Sequence, residues 1–182
     1  MRQPKSKLLD SSGLLNYALR VLSARPLSSA EMEARLKARA ENPTDIEGVM
    51  VKLKDAGFLN DAKFAEYYAA ARRDNQGFGK MRVLRDLRTR KVSGKLAGEV
   101  VQNAFEEVDE TAMVEQYLAR KYRSVELGAF LGEPKNLAAA YRRLRVAGFS
   151  STVSIRVLKR YAARADELSD VDEGDVPGDS GE

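Results

Sequence analysis

A pattern of three amphipathic helices is written three times along the chain, over Leu14–Ala56, Asp61–Val108 and Thr111–Ala163. A repeated helical unit buries its apolar stripe against its neighbours and spreads function over a surface rather than gathering it in a pocket. The expected fold is all-α: three tandem three-helix units forming an elongated, curved helical array. The units are placed at 14–59, 60–108 and 109–164, with a flexible N-terminal arm over 1–13 and a disordered acidic tail over 165–182. Units of about 45–55 residues lie near the lower size for a stable core, so the copies should pack on one another or fold cooperatively.

The helices are read from apolar spacing and from start and stop signals. Leu15, Ala18, Leu19 and Leu22 form the first stripe, which Pro26 ends. Ser28 and Glu31 make a capping box ahead of Met32 and Leu36, and Pro43-Thr44 with Glu47 repeats that signal ahead of Ile46, Val49, Met50 and Leu53. Gly57 suits a left-handed helix end, with Phe58 expected to fold back toward Leu53. In the second copy Asn60-Asp61 reads as a cap, Phe64, Tyr67, Tyr68 and Ala71 as an inner face, and residues 76–79 as a break. Val83, Leu84 and Leu87, then Ala97, Val100, Val101, Ala104 and Phe105, form the next two stripes. The third copy carries Val114, Tyr117, Leu118 and Tyr122, a longer loop with one helical turn over 123–133, and Pro134 at a first helical position. Leu137, Tyr141 and Leu144 follow, closed by Ala147-Gly148-Phe149. Ser150 or Ser151 caps a last helix with Val157, Leu158 and Tyr161 inward. No segment reads as a strand.

The sequence has no His and no Cys. The usual zinc sites and the Ser-His or Cys-His mechanisms therefore cannot be built, although carboxylates alone could bind magnesium or move protons. No catalytic residue, metal site or cofactor is expected. The N-terminus lacks a signal-peptide core and no apolar run approaches the roughly 20 residues of a membrane span, so a soluble cytoplasmic protein is expected. The net charge of +4 is uneven: residues 165–182 carry eight acidic groups and no Lys or Arg, which leaves residues 1–164 at +12. A body of that charge favours polyanions, above all nucleic acid. The tail reads either as a solubilising segment or as an autoinhibitory strand that competes with DNA for the basic face.

Arg82, Arg85 and Arg88 recur every three residues on the side of their helix opposite Val83, Leu84 and Leu87, flanked by Lys80, Arg90 and Lys91. Arg72 and Arg73 end the helix before them. Arg142, Arg143 and Arg145 mark the matching helix of the third copy, joined by Arg156, Lys159 and Arg160. Any one of these alone reads as part of a solvated helix face. Together, with few acids such as Asp86 between them, they read as a phosphate-contacting stripe whose binding would be sequence-independent and salt-sensitive. Tyr67, Tyr68, Tyr117, Tyr122, Tyr141 and Tyr161 could stack on bases, but their helical spacing favours the core. Gly77-x-Gly79 has no preceding strand and no following Gly-Lys-Ser/Thr, so it reads as a turn and not as a nucleotide loop.

Leu53-x-x-Ala56-Gly57-Phe58-Leu59-Asn60-Asp61-x-x-Phe64-Ala65, followed by Arg72 and Gly77-x-Gly79-x-x-Arg82, resembles the RecX family of regulators of the RecA recombinase. The opening Ala18-Leu19-x-x-Leu22-x-x-Arg25-x-x-Ser28-x-x-Glu31-x-x-x-x-Leu36 is similar to that family's start, and Arg25 joins the candidate contacts through it. Arg90-Lys91-Val92 stands where the family usually has Lys-Gly-Ile. The resemblance implies an all-helical, three-unit, noncatalytic protein that binds RecA filaments on DNA and restrains recombinase or ATPase activity in recombination and repair; an elongated monomer is expected, with single- or double-stranded DNA as a partner. Two rival readings are a general DNA-binding protein of helix-turn-helix-like units and an acidic-tailed adaptor for an unrelated protein.

Overall fold

The computed structural model describes residues 8–162 and Ala165; residues 1–7 of the expected arm, residues 163–164, and the acidic tail after Ala165 lie outside the described residues. Among the described residues the chain forms ten helices: α1 (Ser11–Ala24), α2 (Ser29–Lys37), α3 (Asp45–Asp55), α4 (Asp61–Gln76), α5 (Lys80–Thr89), α6 (Gly94–Ala104), α7 (Glu110–Lys121), α8 (Leu127–Gly132), α9 (Pro134–Ala147) and α10 (Ser151–Leu158). The fold is all-α, with no strand among the described residues. The chain divides into two compact units, one built on Met1–Ala69 and Arg85–Asn103, the other on Ala70–Leu84 and Ala104–Glu182. The segment α4–α6 is shared between them.

In the first unit α1 starts earlier than expected. Asp10 caps it by accepting the Gly13 amide at 2.8 Å, and Leu9 is tied down through the Arg39 carbonyl (2.8 Å) and the Glu41 amide (2.9 Å). Residues 8–13 therefore belong to the folded unit and not to an arm. Leu14, Ala18, Met32, Leu36, Val49 and Leu53 form the centre of the core, joined by Leu27, Ile46, Met50 and Leu59. Fully burying each large aliphatic chain stabilises by roughly 1.5–3 kcal/mol, which makes this stripe and not helix propensity the main support of α1–α3.

The capping box at Ser28 is complete: its hydroxyl accepts the Glu31 amide at 3.1 Å and the Glu31 carboxylate accepts the Ser28 amide at 3.2 Å. Thr44 is different. Its backbone is already helical (φ −66°, ψ −23°), whereas a side-chain cap needs an extended residue, and its hydroxyl makes no cap bond. Gly57 takes the left-handed conformation (φ 74°). The residue that then turns inward is Leu59, not Phe58, whose ring stays in solvent. Asn60 caps α4 through the Lys63 amide at 3.0 Å, which leaves Asp61 to accept the Ser29 amide at 2.7 Å and so cap α2 from a distance. The buried face of α4 is Phe64, Ala65 and Ala69; Tyr67 points out.

In the second unit Val114, Leu118, Leu131, Leu137, Tyr141, Leu144, Phe149 and Val157 build the core. Asp109 caps α7 and Glu126 caps the single turn of α8, within the stretch expected to hold one. Gly148 ends α9 with φ 93° and here the following Phe149 is fully buried, its ring edge-on to Tyr117 at 5.5 Å. Ser150 caps α10, and the Glu110 carboxylate accepts both its amide (2.6 Å) and its hydroxyl (2.8 Å), binding α7 to α10. Tyr141 meets Ser151 at 2.7 Å. Tyr161, expected inward, is 37% exposed because it lies beyond the last turn of α10.

Candidate nucleic-acid interface

Helix α5 presents Val83 and Leu87 to the interior, and its high amphipathicity follows from the arginines between them. Arg85 and Arg88 are exposed and Arg82 half-buried, three residues apart on one helix. In the first unit Lys91 is exposed and holds a left-handed backbone (φ 59°), and Arg25 is exposed at the C-terminal cap of α1. Arg90 is committed to the fold. Its guanidinium pairs with Glu31 at 3.1 Å and lies 5.5 Å from the Tyr68 ring centre, while its carbonyl accepts the buried Ser28 hydroxyl at 2.6 Å. Burial works against its charge, but the hydrogen bond and attraction of Glu31, with Tyr68, outweigh that and hold Arg90 above its ordinary pKa.

In the second unit Arg72 and Arg82 converge on Phe78, 6.0 and 5.2 Å from its ring centre. Both are half-buried and tied to the fold: Arg72 also donates to the Gln76 side chain, and Arg82 to the Val146 carbonyl at 3.5 Å. Arg73 pairs with Asp74 at 2.7 Å and reaches the Ala104 carbonyl, and the hydrogen bond to Asp74 raises its pKa. Arg145 donates to the Phe149 carbonyl at 2.6 Å, a bond that closes the end of α9. Arg143 lies 5.6 Å from the Tyr122 ring centre, and Arg160 pairs with Glu115. Arg142, Arg156 and Lys159 are exposed, and Lys80 is half-buried at the start of α5.

Sequence reasoning passed over Arg120 and Lys121. Arg120 donates to the Gln76 carbonyl, lies 5.9 Å from the Tyr117 ring centre, and lines a pocket of about 450 Å³ with Arg73, Asp74, Gly77 and Met113. The adjacent basic pair at the end of α7 was the available signal, favoured there by the helix dipole. Among the described residues no group of three or more carboxylates could hold a metal ion, and no helix is long and apolar enough to cross a membrane.

These features define a class: a helical array with charged faces, whose cations are held over aromatic rings and around shallow pockets. The model described as "RecX, second three-helix domain" matches residues 60–101. The chain is 30% identical to the regulatory protein RecX of Deinococcus radiodurans over 84% of its own length and 70% of the relative's. It is 31% identical to that of Halorhodospira halophila over 86% of its own length and 91% of the relative's. The crystal structure of RecX from Lactobacillus salivarius superposes with a TM-score of 0.61 at 20% identity, covering 87% of this chain and 96% of that one, which supports the fold. The chain belongs to the RecX family.

Proposed function

We propose that the protein is a noncatalytic regulator that binds RecA filaments on DNA through its basic helix faces and restrains their ATPase and strand-exchange activity. Family membership supports a RecA regulator in general terms. The observation that carries the finer reading is the arginine row of α5, where Arg85 and Arg88 stand exposed and Arg82 joins Arg72 over Phe78. Such a row meets a phosphate backbone without reading sequence, and many weak contacts of this kind oppose filament rearrangement with no bond made or broken. The candidate cations run from Arg25 to Arg160 and so fall in each of the three expected three-helix stretches, Arg25 alone in the first.

The second reading, a general sequence-independent DNA-binding protein, rests on the same arginines. The testing experiment measures DNA-stimulated recombinase ATPase and strand exchange with the full chain at near-stoichiometric amounts and two salt concentrations. Inhibition that weakens as salt rises is expected. No effect on either activity at low salt, with the protein folded, would overturn the proposal.

A further inference from the structure

The chain contains the Ala-Gly-Phe turn twice, and the two phenylalanines meet opposite fates. After Gly148, Phe149 is fully buried; after Gly57, Phe58 is 56% exposed because Leu59, at 4%, has taken the inward place. One helix on, Tyr67 is 69% exposed. Phe58 and Tyr67 line a single groove of about 210 Å³ in the first unit, together with Pro26, Leu27, Lys63 and Phe64. Folding thus leaves two aromatic faces in water on one groove, and neither is needed by the core.

We infer that this groove stacks the unpaired bases of single-stranded DNA. The groove's charge indicates the occupant: Lys63 is its only charged liner, and no carboxylate lines it. Glu66 is exposed on α4 beside Tyr67 but does not line the groove. Phe58 and Tyr67 offer flat π-faces and Lys63 offers a phosphate contact, the two halves of a single-strand site. A base inside a duplex is already stacked and cannot enter. The arginine row of α5 therefore holds either form of DNA, while the groove adds affinity for the single-stranded form alone. This inference rests on the DNA-contacting part of the proposed function.

The test compares three labelled probes of equal length by fluorescence anisotropy: an oligothymidylate, an abasic oligonucleotide and a duplex. Phe58→Ala/Tyr67→Ala should bind the oligothymidylate about tenfold more weakly and the other two within about twofold of wild type, as loss of base stacking requires. Both rings lie outside the core, so the thermal melt should not move. The chain has no Trp, so Tyr67→Trp places a single indole on the groove, whose emission oligothymidylate should quench and the abasic probe should not. Unchanged oligothymidylate affinity, or an equal loss for all three probes, would overturn the inference while leaving the α5 reading intact. So would a loss confined to recombinase capture, which would make the groove a protein-docking face. Wild-type binding to none of the probes would remove the DNA-contacting reading along with it.

Discussion

The backbones of Gly79 and Gly148 touch. The Gly79 amide donates to the Ala147 carbonyl at 2.9 Å and the Met81 amide to the Gly148 carbonyl at 3.1 Å, so the start of α5 is bonded to the end of α9. A Cβ on Gly79 would lie 2.4 Å from the Gly148 oxygen, and one on Gly148 would lie 2.2 Å from the Arg82 nitrogen. This crossing positions Lys80 and Arg82. Gly79→Ala and Gly148→Ala should each cost at least about 2 kcal/mol by chemical denaturation, Gly148→Ala more because its φ is also positive. Gly98→Ala, inside α6 with nothing within 4 Å, should instead stabilise by about 0.5–1 kcal/mol.

Ser28 does two jobs in a fully buried position. It caps α2 and donates to the Arg90 carbonyl at 2.6 Å. Ser28→Ala removes both and should cost about 2 kcal/mol, the sum of a lost cap and a buried carbonyl left without its donor. Ser28→Thr keeps the hydroxyl and adds a methyl at a fully buried position, so it should lose less than the alanine variant. Equilibrium unfolding in urea distinguishes the three proteins, and the alanine variant should retain the wild-type m-value.

Lys91 closes α5 in a conformation that suits glycine, with its amide on the Arg88 carbonyl (2.8 Å) and the Val92 amide on the Leu87 carbonyl (3.1 Å). The turn survives the departure from the family's Lys-Gly-Ile because these two bonds and the buried Val92 hold it. Lys91→Gly should raise stability by about 0.5–1 kcal/mol in a thermal melt, relief of the left-handed strain exceeding the entropy that glycine adds to the unfolded chain.

Hydrogen bonds from the Ala129 and Gly128 amides hold the Glu126 carboxyl below its ordinary value of 4.5. A depressed folded pKa means that this cap contributes above the unfolded value and is lost as pH falls through the folded one. The amide resonances of Gly128 and Ala129 should shift together on acidification below pH 4.5. In Glu126→Gln they should not titrate.

Local signals in the sequence gave most of the fold, because they are set by neighbours within a few residues. The Ser28–Glu31 box, Pro134 at a helix start, and the left-handed Gly57 and Gly148 depend on backbone geometry alone. The failures lie where two local solutions compete or where the partner is distant. Phe58 and Leu59 both offered an apolar contact to Leu53, and only packing decided between them. Tyr67 and Tyr68 are adjacent on α4, so a stripe could include one or the other. Asp61 caps α2 and Glu110 holds Ser150 across 32 and 40 residues, which no spacing rule encodes. The same holds for the basic set: periodicity placed Arg85 and Arg88 outward, but the ties of Arg90 to Glu31 and of Arg145 to Phe149 are tertiary.

The most direct test of filament docking through the arginine row is binding of Arg82→Glu/Arg85→Glu/Arg88→Glu to bare DNA and to recombinase–DNA filaments, side by side with wild type. The account predicts that affinity for bare DNA collapses while filament binding is weakened but measurable, since protein contacts remain. Filament binding that vanishes in step with DNA binding would instead favour a general DNA-binding protein, and unchanged binding to both would contradict the role given to α5.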